Sequence, residues 1–346
     1  MIKRLFQKRW FRCVLILTVI SAFAGWFAWV KFFREGPERA FANETERFKY
    51  GSIGGEAETG LPYWIWLVLP RVFPEYLPGS GGYASVGLVW EEGEEMPVGF
   101  TKKVVGFPRV GTNCALCHVG TYRSKREEVP TLVTGAPNHT FNPKALFAFF
   151  TKAARDPRFN ADILLKQIER ETDLSFVDTV IYRYLIIPLT RDALLKQGER
   201  LEWVDVPYRP EWGPGRDDAF NLPKFVLMDL PDDHTSGQCD INSAWNLKVR
   251  EGDGRFLNWA GESPTLRTVL VDSSLGMGPK PGAAFEKRIE ELGHYMRELV
   301  PPSYPFPIDE ALRERGRAIY ADHCAACHDP GRERTNRIIP IIEKHN

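Results

Sequence analysis

The chain has 346 residues, with 45 basic and 45 acidic side chains and no net charge. This length allows two modest domains with a proper core, and the balanced charge gives no reason to expect a nucleic-acid partner or any uniformly charged one. The balance conceals an asymmetry: residues 1–34 carry Lys3, Arg4, Lys8, Arg9, Arg12, Lys31 and Arg34 and no acid, which leaves 38 basic and 45 acidic residues in the rest. A mildly acidic body behind a basic leader fits an exported domain.

Met1–Arg12 is basic, and Cys13–Val30 is a run of 18 residues without a charge, about the minimum for a bilayer span. The positive-inside rule puts the basic end in the cytoplasm and everything after Lys31 outside. Ala22-Phe23-Ala24 could serve a signal peptidase, but apolar residues continue through Trp26, Phe27, Trp29 and Val30. An uncleaved anchor over residues 1–34 is therefore favoured over a cleaved leader, and either one exports the body. Further on, Leu61–Pro70 is strongly apolar, too short to span and bounded by prolines. It reads as core, with a second membrane contact the minority reading. Pro78–Gly82 is a loop. The glycines around Val98–Pro108 and at Gly111 point to tight turns or a close backbone approach.

That stretch leads into Cys114-Ala115-Leu116-Cys117-His118, and the pattern recurs at Cys324-Ala325-Ala326-Cys327-His328. Two thiols three positions apart can add across the two vinyl groups of a porphyrin, and the adjacent imidazole can ligate its iron. The same four cysteines at CxxC spacing could instead hold zinc, or each pair could act as a thioredoxin-like dithiol. Neither alternative accounts for a His after the second Cys both times. The expectation is two covalently bound haem c groups, held by Cys114 and Cys117 and by Cys324 and Cys327, with His118 and His328 as axial ligands of the irons. Of the other cysteines, Cys13 lies in the apolar run and Cys239 stands alone, so no disulfide framework is expected and Cys239 reads as an idle thiol.

Asn142-Pro143 predicts a capped helix to about Ala154. Asn160–Thr172 and Phe176–Gln197 have apolar residues at helical spacing and read as scaffold, with Pro188 ending or kinking the second. Residues 202–281 are loop-rich; Ile241–Leu247 and Gly254–Gly261 stand out, and Trp245 and Trp259 read as core rather than as an electron relay. Phe285–Leu299 predicts a helix carrying His294 and Met296, and Val300–Pro307 a rigid linker. Ile308-Asp309-Glu310 opens the helix that carries the second pentapeptide.

In that helix Gly316, Tyr320 and Cys324 lie at successive i, i+4 positions, which resembles the N-terminal helix of class I cytochrome c domains. In such domains the Gly admits a crossing helix, the aromatic lies beneath it, and a Pro carbonyl accepts the proximal His proton. Pro340 is the better match by spacing and Pro330 the alternative. His323 directly precedes Cys324 and should not reach the distal face. Only 18 residues follow His328, where the family continues for several dozen and supplies a distal Met. No Met follows Met296, and His345 is the only His after His328. The expectation is a shortened unit, leaving Gly316 and Tyr320 with nothing to pack against.

Over residues 45–346 the chain resembles bacterial di-haem cytochromes: di-haem cytochrome c peroxidases, the di-haem enzyme that matures methylamine dehydrogenase, and above all rubber-oxygenase-like proteins. The resemblance implies one reactive haem with an open or displaceable distal position, where a peroxide or dioxygen would bind, and a second haem that relays electrons. Met277 and His294 are the first candidates for distal ligands, ahead of His139, His234, Met228 and Met296. No distal acid/base pair can be named. The expected fold is mainly α: an anchor (1–34), a helical, loop-rich domain with the first haem c (45–300), and the start of a cytochrome c-like domain with the second (301–346). The expected function is electron transfer between a membrane electron donor and a redox partner protein, from an inner-membrane anchor with the body in the periplasm. A peroxidase or oxygenase with one open-coordination haem, and a shortened inactive fragment, are the alternatives.

Overall fold

The computed structural model describes residues 2–251, 256–258 and 263–328, without the side chains of residues 2–9 and 327. The apolar leader forms α1 (Ile2–Phe32). Its Trp10–Phe32 portion, 23 residues with mean hydropathy 2.2, has none of its apolar window buried. A helix of that length and composition serves as a membrane span or as a signal sequence.

Asn43 opens α2 (Glu44–Tyr50) by accepting from the Glu46 N–H. Next come β1 (Leu61–Pro62) and α3 (Tyr63–Val72). Ile65, Trp66, Val68 and Leu69 of α3 are buried, so the 61–70 decapeptide is core. Trp66 stacks on Tyr83 at 4.7 Å between centroids, and the Tyr83 hydroxyl donates to the Trp66 carbonyl at 2.8 Å.

Strands β2 (Phe100–Val105) and β3 (Phe107–Thr112) form a hairpin that turns at Gly106, φ 72°. With β1 they make an antiparallel sheet in the order β1-β3-β2. The chain runs straight on into α4 (Ala115–His118) and then into the antiparallel pair β4 (Val119–Tyr122) and β5 (Thr131–Thr134). The first pentapeptide thus sits between two small sheets. The mainly α expectation holds only in its coarser form: about half the chain is helical, and the sheets were not anticipated.

Asn142 caps α5 (Pro143–Arg155), accepting from the Ala145 N–H, and Asn160 caps α6 (Ala161–Ile168) in the same way through Ile163. Ser175 opens α7 (Phe176–Ile181), which passes through a π turn at Tyr182–Ile186 into α8 (Ile187–Arg200). Pro188 neither ends this helix nor breaks it. The Ile187 N–H reaches five residues back to the Tyr182 carbonyl, so the widened turn resets the ladder one residue before the proline that cannot donate. One face of the 176–200 helix is buried through Tyr182, Ile186, Ile187, Thr190 and Leu194, and Gly198 admits Thr151 of α5.

A single large core cluster runs from Phe48 to Met296, and Leu201, Trp203, Val204, Trp212 and Phe225 form a smaller one. Strands β6 (Arg216–Asp217) and β7 (Cys239–Asp240) pair beside it. Thr265 caps α9 (Leu266–Leu275), which packs on α10 (Ala283–Glu298), the helix expected at 285–299. Residues 301–309 form no helix or strand, in keeping with their prolines, and Phe306 meets Tyr122 edge-on at 6.4 Å. Asp309 caps α11 (Glu310–His323), and α12 (Ala325–His328) ends the described chain. Trp259, Gly254-Arg255, Ala260-Gly261, Pro330, Pro340 and His345 lie outside the described residues.

Candidate functional site

The first pentapeptide is held by backbone contacts on both sides. The Gly99 N–H donates to the Lys49 carbonyl and its own carbonyl accepts from Asn113, each at 2.9 Å. Gly99 has φ 87°, and a Cβ there would lie 2.2 Å from both the N and the Cα of Leu116. The close approach expected of this glycine is therefore to the pentapeptide itself. Asn113 donates to the Gly51 carbonyl (3.0 Å) and accepts from the Ala115 N–H (2.9 Å), which fixes the start of α4. From the other side the Asn138 amide donates to the Leu116 carbonyl, the Asn138 N–H to Cys117 and the Gly135 N–H to His118, all at 2.8 Å. Three successive carbonyls are satisfied, so α4 is fixed although it has barely one turn.

Cys114 is buried, Cys117 is half-buried, and both are free thiols. Burial pushes Cys114 up to about 11 and Cys117 up to about 12, with the Asp217 carboxylate adding to the second. A thioredoxin-like dithiol requires the opposite shift, toward thiolate. The His118 ring is anchored through Nδ1, 3.1 Å from the Asn242 carbonyl. That partner selects the tautomer with the proton on Nδ1, leaving the Nε2 lone pair free to accept or ligate. Burial lowers the pKa of His118, against the smaller opposing effect of the carbonyl, and so favours the neutral form a metal requires.

Asn242 belongs to a strap pinned along its length. The Ile241 N–H donates to Gly215 (2.9 Å), the Ala244 N–H to Gly135 (2.8 Å) and the Asn246 N–H to Leu299 (2.9 Å). The Trp245 indole donates to the Thr134 carbonyl at 2.8 Å and its ring covers Gly135, φ 82°, where a Cβ would come within 2.5 Å of it. Trp245 thus acts as a clamp on the strap. Sequence reasoning singled out 241–247 but assigned Asn242 no role, because a carbonyl contact leaves no side-chain signature.

Asp217 flanks the site from β6. Burial, and secondarily the neighbouring Asp218 carboxylate, push its pKa up to about 6 from the ordinary 3.8. In the unfolded chain it ionises near 3.8, so its contribution to stability is full below that pH and declines as the pH rises to about 6. Asp217→Asn is expected to stabilise the protein at pH 7 by about 1–2 kcal/mol, discounted for partial exposure, with the gain vanishing below about pH 4. Urea unfolding at both pH values checks this, and a variant no more stable at pH 7 contradicts it.

The candidate distal ligands lie on several segments of the chain, with His139 directly after Asn138. Met277 accepts from the Thr59 hydroxyl (3.1 Å) through its carbonyl and packs half-buried against the main core. His294 is exposed on α10 and Met296 is buried in the core. His139 and Met228 are exposed, and exposed His234 packs its ring on Tyr208 at 4.8 Å. Among the described residues no hydrogen bond or ring contact joins any of them to Cys114–His118. Among the same residues no group of three or more His, Cys, Asp or Glu side chains gathers as a metal site.

The second pentapeptide has a different setting. No residue of α11 is buried, Tyr320 is exposed, and a Cβ on Gly316 would meet nothing within 4 Å. Cys324 is a half-buried free thiol and His328 is exposed. With nothing against Gly316 among the described residues, Gly316→Ala removes only a helix-interior glycine and is expected to stabilise α11 by about 0.5–1 kcal/mol. Helicity by circular dichroism and the urea midpoint check this; a clear loss of stability would show that Gly316 faces a packed neighbour.

In comparisons with known proteins, no family model and no solved structure matches the chain. A 91-residue stretch, 26% of the chain, is 29% identical to the uncharacterized protein y4iM of Sinorhizobium fredii (strain NBRC 101917 / NGR234). The match covers 20% of that relative, so the chain spans about a fifth of its length.

Proposed function

We propose that this chain is a membrane-anchored c-type cytochrome, exported to the periplasm, that holds two covalent haem c groups and passes electrons between a membrane donor and a redox partner protein. The observation that carries the reading is His118, anchored through Nδ1 on the Asn242 carbonyl immediately after two free thiols on one fixed turn. The donor set fits haem: two protonated thiols for thioether bonds, then a neutral imidazole with Nε2 available. In the bound state the haem supplies a one-electron iron couple.

The protein's part is positional. Asn113, Asn138 and Gly99 set the turn, Cys114 and Cys117 would hold the macrocycle on it, and the 241–246 strap orients the imidazole. Repetition of the pentapeptide at 324–328 supports a second group carried where α11 meets α12.

The test is the reduced visible spectrum of the chain exported with a haem-attachment apparatus, recorded with and without carbon monoxide. A haem c α-band that carbon monoxide leaves unchanged fits an electron relay. An α-band with an exchangeable haem overturns the relay in favour of a peroxidase- or oxygenase-type role. Absence of any α-band overturns haem binding itself.

A further inference from the structure

The helix over residues 176–200 is apolar on two sides, and only one of them is covered. Phe176, Val180, Tyr184 and Leu189 are 83%, 38%, 74% and 58% exposed. The first three follow at i, i+4 spacing, and the π turn at Tyr182–Ile186 adds the residue that returns Leu189 to the same side. The stripe is about 20 Å long at 1.5 Å per residue. The two charged residues of 176–190 are both held in ion pairs: Asp178 with Lys31 at 2.6 Å and Arg183 with Asp162 at 2.5 Å. An apolar stripe of this kind, bordered by the Arg183–Asp162 pair, marks a surface that something covers.

What covers it follows from where it begins. Lys31 is in the last turn of α1, so its bond to Asp178 sets the start of the stripe beside the end of the apolar helix. Further contacts tie the two together: Arg109 donates to the Phe32 carbonyl (3.1 Å), the Gly106 N–H donates to Arg34 (2.8 Å), and Phe107 meets Tyr182 edge-on at 6.2 Å. The lysine that ends a span lies at the lipid–water boundary. A helix fixed beside it, with an outward apolar face that includes a tyrosine, is at the depth where interfacial helices reside.

We propose that the 176–189 face is embedded in the headgroup–acyl boundary of the leaflet at which α1 emerges, a second and monotopic membrane contact. It rests on the reading of α1 as a membrane span. Together the two contacts fix the orientation of the body on the bilayer, where a single span followed by a free linker would let it swivel.

The test uses the full chain in phosphatidylethanolamine/phosphatidylglycerol vesicles, with the photo-crosslinker benzoylphenylalanine in place of Tyr184, of Ile16 within the span, or of the exposed body residue Val129. Lipid adducts at Tyr184 and Ile16 but not at Val129 are the expected result, with a yield at Tyr184 at least several-fold above that at Val129. Adducts at Ile16 alone overturn the interfacial contact while sparing the span. Adducts at neither position remove the span and the proposal together. Crosslinks from Tyr184 to a second copy of the chain overturn the proposal in favour of a protein interface.

Discussion

Gly99→Ala is expected to destabilise the body by about 4 kcal/mol or more and to lower haem loading at Cys114–Cys117. Two costs combine. A side chain at φ 87° carries a backbone penalty of about 1–2 kcal/mol, and the added methyl would overlap the Leu116 backbone at 2.2 Å. Relief would require moving either the hairpin or α4. The first is sewn to Lys49 and Asn113, and the second is held by the Asn138 and Gly135 donors. Gly93→Ala separates the two costs, because Gly93 also has a positive φ of 82° but nothing within 4 Å of its would-be Cβ. It should lose only about 1–2 kcal/mol. Urea midpoints for the pair decide the matter: equal losses would mean that Gly99 does not hold the pentapeptide.

The second large effect concerns the two pentapeptides taken separately. Each double substitution, Cys114→Ala with Cys117→Ala or Cys324→Ala with Cys327→Ala, should remove one haem from the intact mass. Their structural consequences should differ. Cys114, Ala115 and Leu116 belong to the main core, so an unfilled first site should lower the melting temperature of the body by several degrees, the scale of about 1–3 kcal/mol in a domain of this size. The second pentapeptide follows a helix with no buried residue, so its loss should leave the body's melting nearly unchanged. Equal destabilisation by both would show that the second site is built into the same core.

Which features were legible in the sequence follows from where their causes lie. The starts of α5 and α6 were readable because Asn142 and Asn160 cap locally, through their own side chains. Both pentapeptides were readable because their chemistry is contiguous. Whether Gly316 and Tyr320 meet a neighbour from beyond His328 falls outside the described residues, among which both stand exposed on α11. The strand β1 is hidden because it has only two residues and pairs across the chain, Leu61 with Val110, whereas β2 and β3 form a local hairpin in which Phe100–Val105 lacks the strict apolar–polar alternation that marks a strand. At Pro188 a local rule gave way to a π turn that absorbed the missing donor. The 176–197 pattern was read as scaffold because periodicity counts apolar residues without saying which face is covered. Asn242 was beyond reach because its contribution is a backbone oxygen brought 124 positions along the chain to His118.

The most direct measurement is the intact mass of the chain, exported together with a haem-attachment apparatus and then denatured, followed by peptide mapping. The account requires the polypeptide plus two haems, one on the peptide containing Cys114 and Cys117 and one on that containing Cys324 and Cys327. A polypeptide mass with no haem on either peptide would contradict it.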